Sequence, residues 1–326
     1  MQLPAALRQA VEQELAACSE AALRAASTRL TQLYREDGAT SAQALSSDEQ
    51  RAAYLAVRMP ATYAATVAAL RWAREGLTFE SSTDEIRTVL DLGSGPGTAL
   101  WAASEVFPEI DSLTGFERNP RLITVAQRLV LRAERSALRT AQWIAGDLTA
   151  SLPQGGWDLV ICSYALNELR EAQRAELIRK AWARTAKLLI FIEPGTKAGF
   201  ANILAARGQL LSEGASIAAP CPNALACPMM TGDDWCHFAA RVERTAEHRR
   251  LKDASLGHED EKFSYVAFSR SSAQTSRARI VRHPRIFSGY TQLTLCSAGE
   301  VANTTVTRSK KEDWRKLKRL GWGDAW

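Results

Sequence analysis

The sequence lacks any apolar run long enough to cross a bilayer, and it also lacks a secretory signal. The stretch "LAAC" near the start resembles a lipoprotein cleavage box, but the preceding "RQAVEQE" is charged where a signal needs apolar residues. Glu12 and Glu14 make the start unlike a mitochondrial transit peptide, which is poor in acids. No internal repeat or low-complexity linker is present. We therefore expect a globular protein of the cytoplasm, without a membrane partner.

Charge is unevenly distributed along the chain. The 326 residues have a net charge of +5, but the segment from Glu261 onward holds thirteen lysines and arginines against five acids. That segment therefore carries +8 and the remainder −3. A basic terminal segment on a slightly acidic body indicates a polyanionic partner, with a merely solvated charged face as the alternative.

The spacing of apolar residues divides the chain into three regions. Residues 1–83 repeat apolar side chains every three or four positions, which predicts helices, one of them ended or kinked by Pro60. Residues 84–215 alternate apolar strands with helices, which predicts a doubly wound, parallel α/β sheet. Residues 216–326 predict a small appended unit of strands, partly woven onto the edge of that sheet, and a short basic helix. Trp314 and Leu317 share one face of this helix and are interpreted as core contacts.

A glycine-rich stretch, "DLGSGPG", follows the first predicted strand of the α/β region. It places Asp91, Gly93, Gly95 and Gly97 between that strand and a helix. Glycine permits the tight turn and lets the backbone approach a ligand closely. In "GFERN", Glu117 ends the next predicted strand, where a carboxylate can accept two hydrogen bonds from ribose hydroxyls. The pattern therefore predicts a nucleoside-containing ligand.

These features resemble class I S-adenosylmethionine methyltransferases, which have a Rossmann-like fold. The resemblance implies that the loop wraps the methionine part of the cofactor, and that Asp147 in "AGDL" lies near the adenine amino group. A nicotinamide dinucleotide is the competing ligand, but it normally uses G-x-G-x-x-G, whereas the spacing here is G-x-G-x-G. Glycines that only turn the chain are the remaining alternative. The predicted cofactor-binding residues are Asp91, Gly93, Ser94, Gly95, Gly97, Glu117, Asp147 and Leu148.

The fourth predicted strand ends in "ICSYALNEL", where class I methyltransferases place residues that meet the methyl acceptor. Methyl transfer mainly requires in-line positioning of the acceptor. Ser163, Tyr164 and Asn167 are the candidate catalytic residues, since they could orient an acceptor, or else Ser163 or Asn167 caps a helix. Neither the Asn/Asp-Pro-Pro-aromatic motif of amino-group methylation nor the Pro-Cys pair of a cytosine-C5 nucleophile occurs at this strand end. Cofactor binding is therefore better supported than catalysis.

Half of the six cysteines lie in "PCPNALACPMMTGDDWCHF". Cys221, Cys227 and Cys236 are close in sequence, and Cys296 lies in the later predicted strand "LTLCS". Such a set can converge on Zn²⁺ or on an iron–sulfur cluster, and the spacing does not choose between them. His237 is an alternative fourth ligand. Buried or redox-idle cysteines are the alternative to a metal site.

Eight motifs occur in a specific order: "YLAVRMPATYAA", "DLGSGPGTALWAA", "WDLVICSYALNEL", "IEPGTKAGF", "PCPNALACP", "DWCHF", "EDEKFSYVAFSR" and "LKRLGWGD". Together they resemble the methyltransferase-like ribosomal small-subunit assembly family, from about Ala52 to Asp324. The resemblance implies S-adenosylmethionine at the glycine loop and binding to the small ribosomal subunit during its assembly. It also implies a 4Fe-4S cluster held by Cys221, Cys227, Cys236 and Cys296.

The resemblance also implies a partner for the basic segments. "RARIVRHPRIF" and "RSKKEDWRKLKRLGW" would bind the phosphates of ribosomal RNA. We therefore predict a methyltransferase-like protein that either methylates ribosomal RNA or assists assembly without catalysis. A zinc-stabilised methyltransferase for a small molecule or a protein is the further alternative.

Overall fold

The computed structural model describes residues 1–33, 45–77, 84–251, 256–273 and 276–326. The boundary predicted after residue 83 lies at the end of residues 78–83, which are outside the described residues. Before the first strand, the described residues form α1 (Ala5–Ala16), α2 (Glu20–Leu33), α3 (Asp48–Val57) and α4 (Met59–Glu75). Pro60 lies in the first turn of α4. Backbone N–H groups in a first turn have no acceptor within the helix, so the N–H that proline lacks costs no helical hydrogen bond. The break predicted at Pro60 is confirmed.

Strands and helices then alternate, as the sequence predicted for an α/β layer. A short 3₁₀ helix, Leu166–Glu168, follows the fourth strand. The strands are β1 (Thr88–Leu92), β2 (Ser112–Glu117), β3 (Gln142–Ala145), β4 (Trp157–Ser163), β5 (Thr185–Pro194), β6 (Ser216–Ala219), β7 (Phe238–Glu243) and β8 (His258–Ser269). The helices between them are α5 (Thr98–Val106), α6 (Pro120–Val130), α7 (Ser136–Arg139), α8 (Glu171–Arg184), α9 (Lys197–Ser212) and α10 (Ala246–Leu251).

The main sheet has the strand order β3-β2-β1-β4-β5-β8-β6, with β7 also paired to β8. Strands β1 to β5 are parallel, and β8 runs antiparallel to β5. The order reverses between β1 and β4, and an open α/β sheet binds its ligands at the carboxyl ends of strands beside such a switch. The predicted doubly wound sheet is confirmed, and the glycine loop after β1 lies at its switch point.

The main sheet continues beyond the boundary that we predicted after residue 215. Strand β8 lies between β5 and β6, so it is an interior strand rather than an addition to the edge. Strand β7 pairs with the first half of β8, from His258 to Phe263. These pairings join residues far apart in sequence, which hydrophobic periodicity does not reveal. The α/β layer therefore extends to Ser269.

A second, smaller sheet follows, made of β9 (Arg279–Ile280), β10 (Arg285–Ile286), β11 (Tyr290–Ser297) and β12 (Glu300–Thr307). Its strand order is β10-β11-β12, with β9 beside β11. Its core contains Leu293, Leu295 and Val306, covered by Leu317 of a short helix, with Trp314 packed against it. The separate small sheet begins only after Ser269, later than the appended unit was predicted to begin, whereas the basic helix and its two core contacts are confirmed. This helix is α11 (Lys311–Leu317).

Helix α4 ties the N-terminal helices to the main sheet. Its Trp72 indole stacks on Phe263 and Tyr265 of β8, with ring centroids 6.1 and 5.8 Å apart. The indole Nε1 also donates a hydrogen bond to Asp324 Oδ1 at 3.0 Å, which joins α4 to the end of the chain. Although α4 is largely buried, no helix in the described part of the chain is long and apolar enough to span a membrane.

Candidate cofactor-binding site

The loop between β1 and α5 has the backbone that its glycines predict. Gly93, Gly95 and Gly97 have φ values of 74°, 52° and 83°, in the left-handed region that favours glycine. The backbone N–H groups of Gly93 and Ser94 both donate to the Phe116 carbonyl, at 2.9 and 3.1 Å. The loop is therefore fixed to the end of β2. A Cβ on Gly95 would meet no atom within 4 Å, so the middle of the loop borders open space.

Two acids lie beside this loop, and their surroundings differ. Glu117 is buried and accepts hydrogen bonds from the N–H groups of Gly95 and Asn119, at 2.9 and 2.8 Å. Asp91 is 1% exposed, and neither of its carboxylate oxygens has a hydrogen-bond partner. Burial, together with repulsion by Glu117, raises the pKa of Asp91 to about 8. A buried carboxylate without a partner is costly, so this site is suited to receive a cationic or hydrogen-bond-donating ligand.

The ring of Trp143, on β3, forms the underside of the loop. A Cβ on Gly97 would lie 2.6 Å from the indole Cη2, and a Cβ on Gly115 would lie 2.5 Å from Cζ3 of the same ring. Both glycines are therefore required where they stand. Sequence reasoning missed Trp143, although a glycine inside a strand pattern, as at Gly115, is a known sign of close approach.

The predicted adenine contact Asp147 and the neighbouring Leu148 follow β3. Asp147 accepts hydrogen bonds from the N–H and the hydroxyl of Thr149, at 2.8 and 2.7 Å, and the backbone N–H is the main cause that lowers its pKa. Arg118 lies between Asp147 and Glu168, at 4.0 and 3.3 Å. Leu148 is close enough that its Cδ1 would lie 3.3 Å from a Cβ on Gly93. The predicted cofactor residues thus lie on the loop after β1 and at the carboxyl ends of β2 and β3, and their role in binding a cofactor stays a prediction.

The candidate acceptor residues lie at the end of β4 and in the turn after it, and a buried acid fixes this turn. Glu193 Oε1 accepts a hydrogen bond from the N–H of Leu166 at 3.1 Å, and its Oε2 accepts from Asn202 Nδ2 at 2.9 Å. Burial raises the pKa of Glu193 to about 7. The 3₁₀ helix here has no side-chain cap, so Ser163 and Asn167 do not take the capping role that was their alternative.

Tyr164 stands out in this turn because its φ is 57°, a strained value for a residue other than glycine. Its hydroxyl donates to Glu261 Oε1 at 3.4 Å, and Arg58 Nη2 lies 3.3 Å from the same oxygen. Burial, followed by the charge of Glu261, raises the pKa of Tyr164 well above its usual value. Sequence reasoning missed Arg58 and Glu261, since they are 203 residues apart and Glu261 is 97 residues from Tyr164.

All four predicted cluster cysteines line one cavity, bounded by α9, the loop after β6, and β11. Cys221, Cys227, Cys236 and Cys296 are all free thiols. Burial raises the pKa of Cys236 well above its usual value and that of Cys296 to about 11, and the neighbouring cysteines raise both further. Across the described ranges, no three His, Cys, Asp or Glu side chains are arranged to hold a metal ion.

Two buried arginines also line the cysteine cavity. Arg207 Nη2 donates to the carbonyls of Asn223 and Leu225, at 3.2 and 2.6 Å, and Arg279 Nε donates to the Pro220 carbonyl at 2.9 Å. Each guanidinium therefore binds, from the cavity side, backbone carbonyls of the loop after β6, which we call the cysteine loop.

His237, the alternative fourth ligand, does not line the cavity. Its Nδ1 lies 3.0 Å from the Trp235 carbonyl, and its ring packs between Trp235 and Trp322. The histidine thus has an aromatic environment of its own beside Cys236.

The basic end of the chain exposes its cations. None of its exposed lysines and arginines from Arg285 onward forms an ion pair with a carboxylate of the described residues, whereas Arg87 pairs with Asp111 and Arg241 with Asp260 on the main sheet. A surface of unpaired cations is suited to a polyanion. These exposed residues are Arg285, Arg308, Lys310, Lys311, Arg315, Lys316, Lys318 and Arg319.

The strand order and the glycine loop together define a class I methyltransferase fold. Within that class, the chain belongs to the Rsm22 family, described as mitochondrial small ribosomal subunit Rsm22, whose family model matches residues 48–326. The family membership predicted from the ordered motifs is confirmed.

Relatives of known name include the human mitochondrial ribosome assembly protein METTL17, which is 26% identical over 299 residues, covering 83% of this chain and 61% of that protein. The Rsm22-cox11 tandem protein 2 of fission yeast, also mitochondrial, is 26% identical over 335 residues, covering 85% of this chain and 43% of that protein. The chain therefore spans less than two thirds of the length of either relative.

Solved structures with similarity to this chain are methyltransferases of low sequence identity. The magnesium protoporphyrin IX methyltransferase of Synechocystis PCC 6803 with bound SAM has a TM-score of 0.40 and 14% identity, covering 65% of this chain and 80% of that one. A plantazolicin methyltransferase in complex with a substrate analogue and SAH has a TM-score of 0.43 and 13% identity, covering 76% of this chain and 99% of that one. Because these scores are low, the fold class rests on the strand order.

Proposed function

We propose that this chain binds S-adenosylmethionine at the loop Gly93–Gly97 and acts on the small ribosomal subunit during its assembly. The partnerless buried carboxylate of Asp91, beside the open middle of the loop, is the observation that carries the cofactor proposal. The name of the human relative, a ribosome assembly protein, and the description of the family support the partner. The cytoplasmic location predicted from the sequence stays a prediction, and both named relatives are mitochondrial.

The residues around the loop fit the chemistry of S-adenosylmethionine. Its ammonium group would balance the charge of Asp91 and supply the hydrogen bonds that this carboxylate lacks. Glu117 keeps unused lone pairs after accepting from Gly95 and Asn119, and it can therefore also accept from ribose hydroxyls. When bound, the cofactor supplies an activated methyl group.

We also propose that Cys221, Cys227, Cys236 and Cys296 hold a 4Fe-4S cluster. The chemistry of the donor set supports it, because four free thiols line one cavity and thiolates are the usual ligands of such clusters. A 4Fe-4S cluster is held by four cysteine thiolates, so it would use all four cysteines of the cavity. A zinc ion would instead require the four sulfurs to meet about 2.3 Å from a single metal. Arg207 and Arg279 would offset the negative charge of the thiolates.

Binding of the cofactor and binding to the ribosome call for separate experiments. Calorimetry with S-adenosylmethionine should show binding to the wild-type protein and its loss in Asp91→Ala. Co-sedimentation with small ribosomal subunits over a salt series should show affinity that falls steeply with salt, because phosphate contacts release counterions. The absence of any association with the subunit would favour the alternative of a small-molecule or protein substrate.

Transfer of labelled methyl groups to immature small subunits separates an enzyme from a non-catalytic assembly factor. Tyr164, held by Glu261 and Arg58, together with Ser163 and Asn167, would orient the acceptor. If the protein catalyses transfer, Tyr164→Phe should slow it while cofactor binding stays intact. If no label is transferred by a protein that binds both cofactor and subunit, the assembly-factor alternative stands.

A further inference from the structure

The small C-terminal sheet has one covered face, and its other face is covered by the cysteine cavity at Cys296 but open at the Tyr290 end. Leu293 and Leu295 point to the covered side, where they pack under α11. Residues opposite each other in an antiparallel pair share a face. Tyr290 therefore shares the open face with Thr307, while Gln292 shares it with Thr305 and with Arg285 of β10. The open face thus combines an aromatic ring, hydroxyls, an amide and a guanidinium.

Two aromatic rings at the end of this face stay exposed to solvent. Phe287 and Tyr290 flank a two-residue turn, closed by a hydrogen bond from the Phe287 N–H to the Tyr290 carbonyl at 2.9 Å. Their ring centroids are 4.6 Å apart with an interplanar angle of 15°, so the rings stack. Phe287 is 42% and Tyr290 37% exposed, and the neighbouring Ile286 is 79% exposed. The hairpin therefore presents a preformed flat apolar surface to its surroundings.

The charges around the stacked rings indicate which partner fits them. Arg285 lies two residues before Phe287 and is opposite Gln292 on the open face. It forms no ion pair with a carboxylate within the part of the chain that the structure describes. The Arg308 N–H donates to the Gly289 carbonyl of the turn at 3.2 Å, but its guanidinium lies over the Trp314 ring of α11, 5.5 Å from the ring centroid. Exposed aromatic rings among unpaired cations are the combination that binds single-stranded nucleic acid, because bases stack on the rings while the cations follow the phosphates.

We propose that the stacked pair Phe287 and Tyr290 is a platform for an unpaired base of RNA, with Arg285 holding the adjacent phosphate. This inference rests on the proposed function in so far as that RNA belongs to the small ribosomal subunit. The open face of β11 and β12 would carry the following nucleotides, since its threonines and amides can bind sugar and base edges.

The test uses the full-length protein and fluorescently labelled single-stranded oligouridine, with binding followed by anisotropy. The double variant Phe287→Leu/Tyr290→Leu should bind about 10-fold more weakly, because a lost base stack weakens binding by that order. Tyr290→Phe keeps the ring and should bind like wild type. Leu131→Ala removes another large exposed apolar side chain, 71% exposed on the main α/β layer, and should also leave affinity unchanged.

A salt series distinguishes stacking from charge. The double leucine variant should keep the salt dependence of wild type, whereas Arg285→Gln should reduce the slope, because it removes a phosphate contact. Equal oligouridine affinity in the double leucine variant and wild type would overturn the platform. Binding of polyglutamate that is equally strong, and equally weakened by the leucine variant, would also overturn it and indicate an acidic protein partner.

Small ribosomal subunits form the second arm of the experiment. If the wild-type protein binds oligouridine through the rings but does not sediment with the subunit, the platform stands and the proposed ribosomal partner fails. If the leucine variant loses no affinity for either, the platform fails while the ribosomal proposal is untouched.

Discussion

The indole of Trp143 lies directly beneath Gly97, so that a Cβ on this glycine would come 2.6 Å from the ring. Gly95, two residues earlier, faces open space instead. The two glycines therefore serve different purposes, although both have a positive φ. Gly97 allows the loop to pack on the sheet, and Gly95 leaves room above the loop for a ligand.

Gly97→Ala should lower the free energy of unfolding by roughly 1–3 kcal/mol, because the new methyl group displaces the Trp143 ring and the backbone is strained. Gly95→Ala carries only the backbone strain and should destabilise less. Its methyl group, however, should weaken S-adenosylmethionine binding. Urea unfolding and calorimetry on both variants measure these effects. Wild-type cofactor affinity in Gly95→Ala would show that the ligand does not lie over the loop.

Asp91 should make the stability of the protein without cofactor depend on pH. The pKa of Asp91 is raised to about 8 in the folded state, whereas the unfolded chain has a value near 4. Between these values only the folded state holds the proton, so the free energy of unfolding falls as the pH rises. Relative to that of Asp91→Asn, the free energy of unfolding of the wild type should fall by up to about 1.4 kcal/mol per pH unit between pH 4 and 8. Above pH 8 it should fall no further.

Urea unfolding of wild type and Asp91→Asn at several pH values measures this difference. Glu171→Gln, at an exposed acid, is the matched control and should show no comparable trend. Saturating S-adenosylmethionine should shrink the pH dependence of the wild type, since its ammonium group favours the ionised carboxylate. A pH-independent difference between wild type and Asp91→Asn would contradict both the raised pKa and its role in binding.

The parts of the site that are local in sequence could be predicted. Asp91 and the loop glycines lie between one strand and the next helix, and Glu117 ends the following strand. Parallel strands bring their carboxyl ends to the same edge of the sheet, so these groups had to meet. The cysteines after β6 were recognisable for the same reason, because three of them fall within sixteen positions, from Cys221 to Cys236.

Contacts between distant segments could not be predicted. The group of Arg58, Tyr164 and Glu261 joins the start of α4, the end of β4 and β8, and each residue alone is typical of an exposed or helical position. Strands β6 and β7 are only four and six residues long, too short for a clear alternating pattern. Their place in the main sheet depends on pairing with β8, which is a property of the fold rather than of any window of sequence.

If the four cysteines hold a cluster, the iron content of the protein should depend on each of these thiols. Protein prepared anaerobically should contain iron and sulfide in the wild type, and Cys227→Ala should lose most of both, because one of four ligands is removed. Cys18→Ala is the matched control, since Cys18 lies apart from the cavity, and it should retain both. Iron and sulfide analysis with absorption spectra makes the measurement. If the protein instead contained one zinc ion per chain and no sulfide, the cluster proposal would be wrong and the zinc alternative would be supported.

Arg207 should hold the cysteine loop in place independently of any metal. The side chain is 8% exposed, and its Nη2 donates to the carbonyls of Asn223 and Leu225. Arg207→Met keeps the apolar stem but removes both donors, so it should lower the free energy of unfolding by roughly 1.5–3 kcal/mol, the range for hydrogen bonds to a charged group. Amide hydrogen exchange should quicken in residues 221–228 more than in β1.

The matched control is Arg179→Met, on the exposed side of α8, where the guanidinium pairs with Glu176 one turn away. That pair is exposed and should contribute less than about 1 kcal/mol. Both variants are compared in metal-free protein, so that a bound cluster does not hold the loop. Exchange in residues 221–228 that is as slow in Arg207→Met as in Arg179→Met would mean that the loop is fixed by its prolines and apolar contacts instead.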